Sequence, residues 1–291
     1  QAFISVAQNR SFSITANQLH LTQPAISKRI STLEEQLGCA LFDRIGHSIQ
    51  LTQAGDVLLP IARKILQDVE DCKRQIQSLN NCVSGKLTLA SSHHIGLHRL
   101  PEILKIYAKK FKDVELDFQF LESEQACEAV RQGKIELAVI TLPLEKDEKL
   151  ITYELWNDTL VCMASNEHAI CKKNSKITLA KLTKFPMLLP EKQTFTRRII
   201  EQPFIKNNLT LNTLMTTNEL ESIRMMVEIG LGWSILPESM LREPLVAIKV
   251  EGLELKRTLG LVRNIDRTLS SSAKAIISLF ESTRDLSIQH Q

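Results

Sequence analysis

The chain has 291 residues, 43% hydrophobic and 24% charged, which predicts about two globular domains and excludes a collagen-like or mainly disordered protein. Its formal net charge of +3 is too small to indicate nucleic-acid binding by itself, and 5% aromatic residues are too few for a broad base-stacking surface. No apolar run approaches the roughly 18 residues of a membrane span and no export signal is visible, so we expect a cytoplasmic protein without a membrane partner.

Residues 1 to about 58 predict short helices followed by a hairpin. Ser11 and Thr22 are good N-cap residues for the second and third helices, and Gly38 is placed to end the third. The predicted buried stripe of the third helix has spacings of four, three and four and consists of Ile26, Ile30, Leu33 and Leu37. With a polar and basic outer face and a turn at 46–48, the segment predicts a winged helix-turn-helix.

A long helix is predicted at 59 to about 81, and Thr52 can cap the start of this helix. Its apolar residues recur at alternating spacings of four and three, which is typical of a helix that pairs with another helix. This heptad seam consists of Leu58, Ala62, Ile65, Val69, Cys72, Ile76 and Leu79. Pro60 should kink or restart the helix near its beginning.

From Gly85 onward, β-branched runs alternate with helical patterns, which predicts an α/β architecture. The first set is a strand at 86–91, a helix at 97–111, a strand at 114–120, a helix at 123–132 and a strand at 135–141. After strands near 153–155 and 159–164, the second set is a strand at 187–189, helix 196–207, strand 211–216, helix 219–229 and strand 233–236. The chain returns through a strand at 257–262 to a last helix at 271–283, which predicts two lobes with a cleft between them.

Two groups of residues carry a family resemblance. The denser group lies within 11–55 and comprises Ala16, Leu19, Thr22-Gln23-Pro24-Ala25, Ser27, Ile30, Leu33-Glu34, Leu37-Gly38, Leu41-Phe42, Arg44, Leu51-Thr52 and Ala54-Gly55. The sparser group comprises Gly85-Lys86-Leu87, Leu100-Pro101, Gly133-Lys134-Ile135-Glu136-Leu137-Ala138 and Gly230-Leu231-Gly232. With these residues the whole chain resembles the LysR-type transcriptional regulators, most closely in the helix-turn-helix.

The resemblance implies an α/β protein in three parts. These are a winged helix-turn-helix DNA-binding domain at 1–58, a long linker helix for dimerisation at 59–84, and a two-lobed effector-binding domain at 85–291 that is like periplasmic binding proteins. Lobe I would take about 85–160 and 262–291, and lobe II about 161–261. The implied partners are promoter DNA, a small-molecule effector and further copies of the chain, in a homodimer or a homotetramer.

The resemblance also implies which residues contact DNA, namely Thr22, Gln23, Pro24, Ser27, Lys28, Arg29 and, in the wing, Arg44. These residue types suit the role, because glutamine can pair with adenine edges and lysine or arginine with guanine edges or phosphates. Serine and threonine near a helix N-terminus suit phosphate contacts. The alternative interpretation of Lys28 and Arg29 is an ordinary solvated helix face.

Family pockets lie between the lobes at strand ends, which makes the effector-binding candidates Ser91, Ser92, His94, Thr141, Thr196, Arg197 and Asn218. Ser91 and Ser92 close a strand just before a helix, where carboxylates are favoured. Arg197 or its neighbour Arg198 would neutralise an anionic ligand through a fork-like contact. The alternative is that Ser92 and Asn218 are ordinary caps and the arginines are exposed.

Metal and redox sensing are alternatives that the sequence favours less. His94 and His98 are four residues apart, but adjacent His93 and His94 would point to opposite faces of a strand, so we expect no metal site. Cys162 and Cys171 have no Cys-x-x-Cys spacing, and we expect inert, reduced thiols and no cofactor.

Two other classes of protein compete with a regulator. A solute-binding protein would share the two-lobed α/β region, but the helix-turn-helix and the missing export signal count against it. A catalytic α/β enzyme would need a supporting motif, and the sequence has no Gly-x-Ser-x-Gly, P-loop, Gly-x-Gly-x-x-Gly or His-Glu-x-x-His. We therefore expect no catalytic residues.

Overall fold

A computed structural model describes residues 1–45, 48–78, 83–171 and 176–288. The chain divides into two compact units, Gln1–Asn80 and Asn81–Gln291. Among the residues that the structure describes, no helix combines the length and apolarity needed to cross a bilayer.

The first unit is helical with one hairpin. Its elements are α1 (Ala2–Asn9), α2 (Phe12–Gln18), α3 (Gln23–Leu37), β1 (Phe42–Ile45), β2 (Ser48–Leu51) and α4 (Gln53–Ser78). The two strands pair antiparallel, with Phe42 opposite Leu51. The helices and hairpin enclose a small core of Phe3, Ile4, Val6, Phe12, Ala16, Ile26, Ile30, Leu41 and Phe42.

Side-chain caps set the starts of α2, α3 and α4. The Ile14 amide donates to Ser11 Oγ at 3.2 Å, and the Ala25 amide donates to Thr22 Oγ1 at 3.4 Å. Thr52 Oγ1 accepts from the Gly55 amide at 3.1 Å, so Thr52 caps α4 as expected, and the helix begins at Gln53. Gly38 ends α3 in the left-handed conformation, with φ of 69°.

One sequence expectation for the first unit was wrong. Leu37 is 48% exposed, so the buried stripe of α3 stops before the last turn of the helix. Of the two expectations for Pro60, a kink or a restart, the restart does not occur, because α4 continues through Pro60 to Ser78. The proline removes one amide hydrogen bond, and the remaining hydrogen bonds of the helix carry it through this position.

In the described part of the second unit, nine strands form one mixed sheet. The strands are β3 (Gly85–Ser91), β4 (Val114–Phe120), β5 (Leu137–Thr141), β6 (Leu150–Ser165), β7 (Met187–Leu189), β8 (Thr213–Thr216), β9 (Trp233–Pro237), β10 (Leu245–Ala247) and β11 (Leu255–Asn264). They are ordered β4-β3-β5-β11-β6-β9-β7-β8, and β10 pairs with β6. The helices are α5 (His93–His98), α6 (Pro101–Lys110), α7 (Ser123–Arg131), α8 (Leu179–Leu182), α9 (Phe195–Lys206), α10 (Leu220–Glu228) and α11 (Ser271–Ile288).

Two long antiparallel strands, β6 and β11, run through both halves of this sheet. On one side the parallel strands β3, β4 and β5 pack against α6 and α11. On the other side β7 pairs parallel with β8 and β9, over a core that includes Phe204 and Trp233. The sequence predicted two strands where β6 is continuous over 16 residues, because the short polar stretch inside it remains paired with β11.

The helix expected at 97–111 is divided into α5 and α6. The break falls at Arg99 and Leu100, and Pro101 begins α6, where its missing amide proton costs no hydrogen bond. His93 and His94 therefore belong to a helix and not to the end of a strand. The apolar periodicity of the sequence did not indicate this break, because Leu100 and Ile103, on either side of Pro101, pack into the same core.

Candidate functional site

The outer face of α3 presents polar residues at its N-terminal end. Thr22, Gln23, Pro24, Lys28 and Arg29 are exposed and Ser27 is half-buried. The opposite face is anchored by fully buried aliphatic residues of the core, so the helix cannot rotate its polar face inward. The helix thus offers a row of exposed donor and acceptor groups, an arrangement suited to base edges and phosphates.

The hairpin that follows α3 is held in place by one carboxylate. Glu34 Oε1 accepts hydrogen bonds from the Leu41 amide at 2.7 Å and the Phe42 amide at 3.4 Å. Glu34, which the sequence named only as one of the residues that carry the family resemblance, is therefore a structural residue. The backbone of Arg44 lies in β1 opposite Ile49, while its side chain and residues 46–47 lie outside the described residues.

The described residues of the α4 heptad seam are covered at the N-terminal end and exposed to solvent further along. Leu58 and Ala62 pack against the core of the first unit. Further along, Ile65 is 56% exposed, Val69 47% and Ile76 68%. Leu79, the last predicted seam position, lies outside the described residues. A contiguous apolar stripe of this kind on a solvent-facing helix marks an interaction surface.

A cleft opens in the second unit where several strands end. It is lined by Ser92, His93, His94, Glu122, Ser123, Glu124, Thr141, Pro190, Thr194, Thr196, Asn218, Leu220 and Arg257. Ser92 follows β3, Thr141 ends β5, Pro190 follows β7 and Asn218 follows β8. The carboxyl ends of parallel strands from both halves of the sheet thus meet at one place, which is where α/β folds bind ligands.

A buried ion pair forms one wall of the cleft. Arg257 Nε and Nη2 each lie 2.8 Å from Asp158 Oδ2, and Arg257 Nη1 donates to Thr196 Oγ1 at 3.2 Å. Arg99 Nη2 approaches Asp158 Oδ1 at 3.5 Å. Burial lowers the pKa of Arg257, and Asp158 opposes that shift by stabilising the charged guanidinium.

Five of the seven predicted effector-binding residues line this cleft, and Ser91 and Arg197 do not. Ser91 Oγ donates to the Val139 carbonyl at 2.8 Å. Arg197 is 2% exposed and donates to Glu201 Oε1 at 2.6 Å and to the Pro190 carbonyl at 3.1 Å. Both side chains therefore form hydrogen bonds within the protein that stabilise the walls of the cleft.

The cation in the cleft is Arg257, which the sequence did not single out. Arg198, the other predicted cation, is exposed and lies over the Phe195 ring, 5.0 Å from its centroid. One feature of the sequence could have indicated Arg257: it begins the strand predicted at 257–262, and a charged residue in a strand of the core is rarely buried without a partner. Its partner Asp158 lay in the stretch that was predicted to separate two strands.

Carboxyl groups also line the cleft. Burial, followed by the charges of Glu124, Glu219 and Glu191, raises the pKa of Glu122 to about 7. Glu124 accepts a hydrogen bond from the Phe195 amide, and Asn218 Oδ1 accepts from the Glu191 amide at 3.0 Å. The cleft therefore combines the guanidinium of Arg257 with the carboxyl groups of Glu122 and Glu124.

The cleft is open to solvent and has a volume of about 450 Å³ when its mouth is included. A space of that size is typical of a site for a small molecule.

The structure places two of the histidines on one helix and buries two of the cysteines. Because His94 and His98 share one face of α5, with ring centroids 4.8 Å apart, the opposite-face argument made from a strand does not apply. Burial, with a smaller contribution from Arg257, lowers the pKa of His94 to about 4. Burial raises the pKa of Cys127 and Cys162 to about 12, so both remain thiols at neutral pH.

Sequence comparisons match both units to models of one family. Residues 1–56 match the model described as bacterial regulatory helix-turn-helix protein, lysR family, and residues 81–284 match the LysR substrate binding domain. A probable RuBisCO transcriptional regulator of Trichormus variabilis is 29% identical over 281 residues, covering 93% of this chain and 83% of the relative.

Solved structures share the fold at low sequence identity. A full-length OxyR variant from Pseudomonas aeruginosa is 21% identical, with a TM-score of 0.72 over 97% of this chain and 92% of that chain. Full-length CbnR, solved in a complex with its target DNA, is 18% identical, with a TM-score of 0.64 over 97% of this chain and 96% of that chain. Both matches extend through the two units.

Proposed function

The chain belongs to the LysR family of transcriptional regulators, and on that premise we propose that α3 and the wing read promoter DNA while the cleft of the second unit binds the controlling effector. In this proposal residues 1–58 bind DNA, residues 59–84 join two copies of the chain, and residues 85–291 bind the effector. Lobe I takes about 85–160 and 262–291, and lobe II about 161–261. The protein acts by binding and not by catalysis, and it works in the cytoplasm, where its promoter partner lies.

The exposed polar end of α3 carries the DNA-binding proposal. Gln23 is exposed, Ser27 is half-buried, and the two lie one helical turn apart along one edge of the buried stripe, so both can point into one groove. Lys28 and Arg29 lie beside them and are exposed, where they can neutralise phosphates. CbnR, which has the same fold, was solved on its target DNA.

We expect Gln23→Ala to relax sequence preference while leaving general DNA affinity unchanged. A bidentate glutamine–adenine contact is worth about 1–3 kcal/mol of discrimination, so affinity for the selected site should fall about 5- to 150-fold. The site is obtained by selecting a random-sequence DNA library with the wild-type protein. Binding of each variant to that site and to scrambled DNA is then measured by fluorescence anisotropy.

Gln36→Ala is the matched control, because Gln36 is an exposed glutamine near the other end of α3. Lys28→Ala should weaken binding to both DNA molecules equally and reduce the salt dependence. Equal losses on selected and scrambled DNA for Gln23→Ala would contradict base reading. Absence of saturable binding to any DNA at low salt would contradict the DNA-binding proposal as a whole.

The residues that line the cleft indicate the chemistry of the effector. We infer a small polar molecule that places an acceptor, such as a carboxylate, at Thr196 and Arg257 and donors, such as hydroxyl or amine groups, toward Glu122 and Glu124. Since the pKa of Glu122 is about 7, this carboxyl changes charge near neutrality. Binding of such a molecule would change the separation of the two walls and so shift the conformational equilibrium that DNA binding senses.

We expect Ser92→Ala to weaken effector binding while DNA binding in the absence of effector is kept. Ser92 is half-buried in the cleft wall, and its lost hydrogen bond should cost about 0.5–1.5 kcal/mol, or roughly 2- to 12-fold in affinity. The ligand is first found by a thermal-shift screen of polar metabolites and its affinity is then measured by calorimetry. Ser239→Ala, an exposed serine outside the cleft lining, is the control, and unchanged affinity in Ser92→Ala would remove Ser92 from the site.

A further inference from the structure

Three side chains beside the cleft lie close enough to share one ion. The ligand atoms of His94, His98 and Glu221 all lie within 4.8 Å of one another. His94 and His98 are one turn apart on α5, and Glu221 stands in the first turn of α10, which belongs to the other half of the sheet. We propose that these three residues form a site for a zinc-class divalent cation that bridges α5 and α10.

The donor set fits this class of ion. Two imidazoles and one carboxylate with a remaining position for water are the ligands of open, four-coordinate zinc sites. Imidazole nitrogens favour zinc, nickel, cobalt or copper over magnesium or calcium, which prefer oxygen ligands. His98 Nε2 already lies 3.1 Å from Glu221 Oε1, close to the separation of about 3.3 Å between ligands of a tetrahedral zinc ion.

His94 provides the second, independent observation. This residue is 7% exposed, and its Nδ1 is buried without a hydrogen-bond partner among the described residues. A buried polar nitrogen without a partner costs free energy, which a bound ion or its water would recover. The neighbouring charge of Arg257 disfavours a cation, but Asp158 neutralises it at 2.8 Å.

The surroundings hold the ligands in place. Gly96 allows α5 to lie directly against the Phe120 ring, since a Cβ there would collide with it. Arg224 Nε donates to Glu221 Oε2 at 2.9 Å, which orients the carboxylate and leaves Oε1 toward His98. Because Glu221 and His98 are both partly exposed, an ion can enter from solvent.

Titration of the tag-free, full-length protein with Zn²⁺, Co²⁺ and Mg²⁺ in a calorimeter tests the site. We expect one Zn²⁺ or Co²⁺ per chain, a cobalt absorption spectrum typical of four nitrogen and oxygen ligands, and no response to Mg²⁺. His98→Gln and Glu221→Gln should each weaken Zn²⁺ binding at least about tenfold, since even an outer-shell contact is worth that much. Neither the effector nor DNA is required, so the result is independent of the proposed function.

His93→Gln is the matched control, because His93 is a neighbouring histidine on α5 that pairs with Glu219 at 3.1 Å and lies outside the cluster. Its Zn²⁺ affinity should equal that of the wild type. Circular dichroism of each variant checks that the fold is retained. The proposal would be overturned if the wild type did not bind Zn²⁺ or if His98→Gln kept the wild-type affinity for Zn²⁺. It would also be overturned if His93→Gln lost as much Zn²⁺ affinity as His98→Gln.

Discussion

Replacing Asp158 with alanine should lower the free energy of unfolding of the second unit by about 3–5 kcal/mol. Asp158 and Arg257 are 3% and 4% exposed, so removal of the carboxylate leaves a guanidinium buried without compensation. Both tryptophans, Trp156 and Trp233, lie in this unit, so their fluorescence during urea denaturation reports its unfolding.

Asp117→Ala is the matched control for this prediction. Asp117 pairs with Lys86 at 2.8 Å, but the two side chains are 30% and 50% exposed, and exposed pairs contribute about 0–1 kcal/mol. A double variant, Asp158→Leu with Arg257→Met, should recover most of the lost stability because it leaves no unpaired charge. A loss in Asp158→Ala no larger than that of the control would contradict a buried, stabilised ion pair.

Introducing a charge into the α4 seam should separate the copies of the chain. Val69 is 47% exposed and occupies the middle of the stripe that runs from Ile65 to Ile76. In an association through this stripe, Val69→Glu would bury one unpaired carboxylate from each copy, which should weaken association at least about 100-fold. Sedimentation equilibrium measures the association directly.

Lys64→Glu is the control for the seam variant, because Lys64 is exposed on α4 outside the heptad positions. It changes the net charge by more than Val69→Glu does, yet should leave association unchanged. Binding to a DNA site with two half-sites should fall in parallel with association of Val69→Glu, since two linked recognition helices bind far better than one. Unchanged association in Val69→Glu would show that copies join elsewhere.

Local chemistry explains why the first unit was predictable. The caps at Ser11 and Thr22 and the terminator Gly38 act within a few residues, so their effect can be predicted from the sequence. The seam of α4 could be predicted in the same way, because heptad spacing depends only on the sequence of that helix. Its exposure in the single chain could not be read from the spacing, since burial depends on which side of α4 the unit's own core covers.

The cleft was predictable in part. Ser92, Thr141 and Asn218 follow or end strands, and the ends of parallel strands meet at one edge by topology. The sequence predicted Arg197 or Arg198 as the cation and did not single out Arg257, because the pairing of β11 with β6 that brings Arg257 opposite Asp158 is not visible in the sequence.

The sequence by itself determined the family, the helix-turn-helix with its outward residues, the helix that carries the seam, and the α/β character of the rest. All of these follow from periodicity, capping or ordered motifs. Only the tertiary structure decided that Arg257 and not Arg197 lines the cleft, and that Ser91 bonds to the neighbouring strand. It also decided that Glu221 lies beside His94 and His98. The reason is physical: these contacts join residues that are 48, 99 and 123 positions apart in the sequence, and strand pairing and helix packing bring them together.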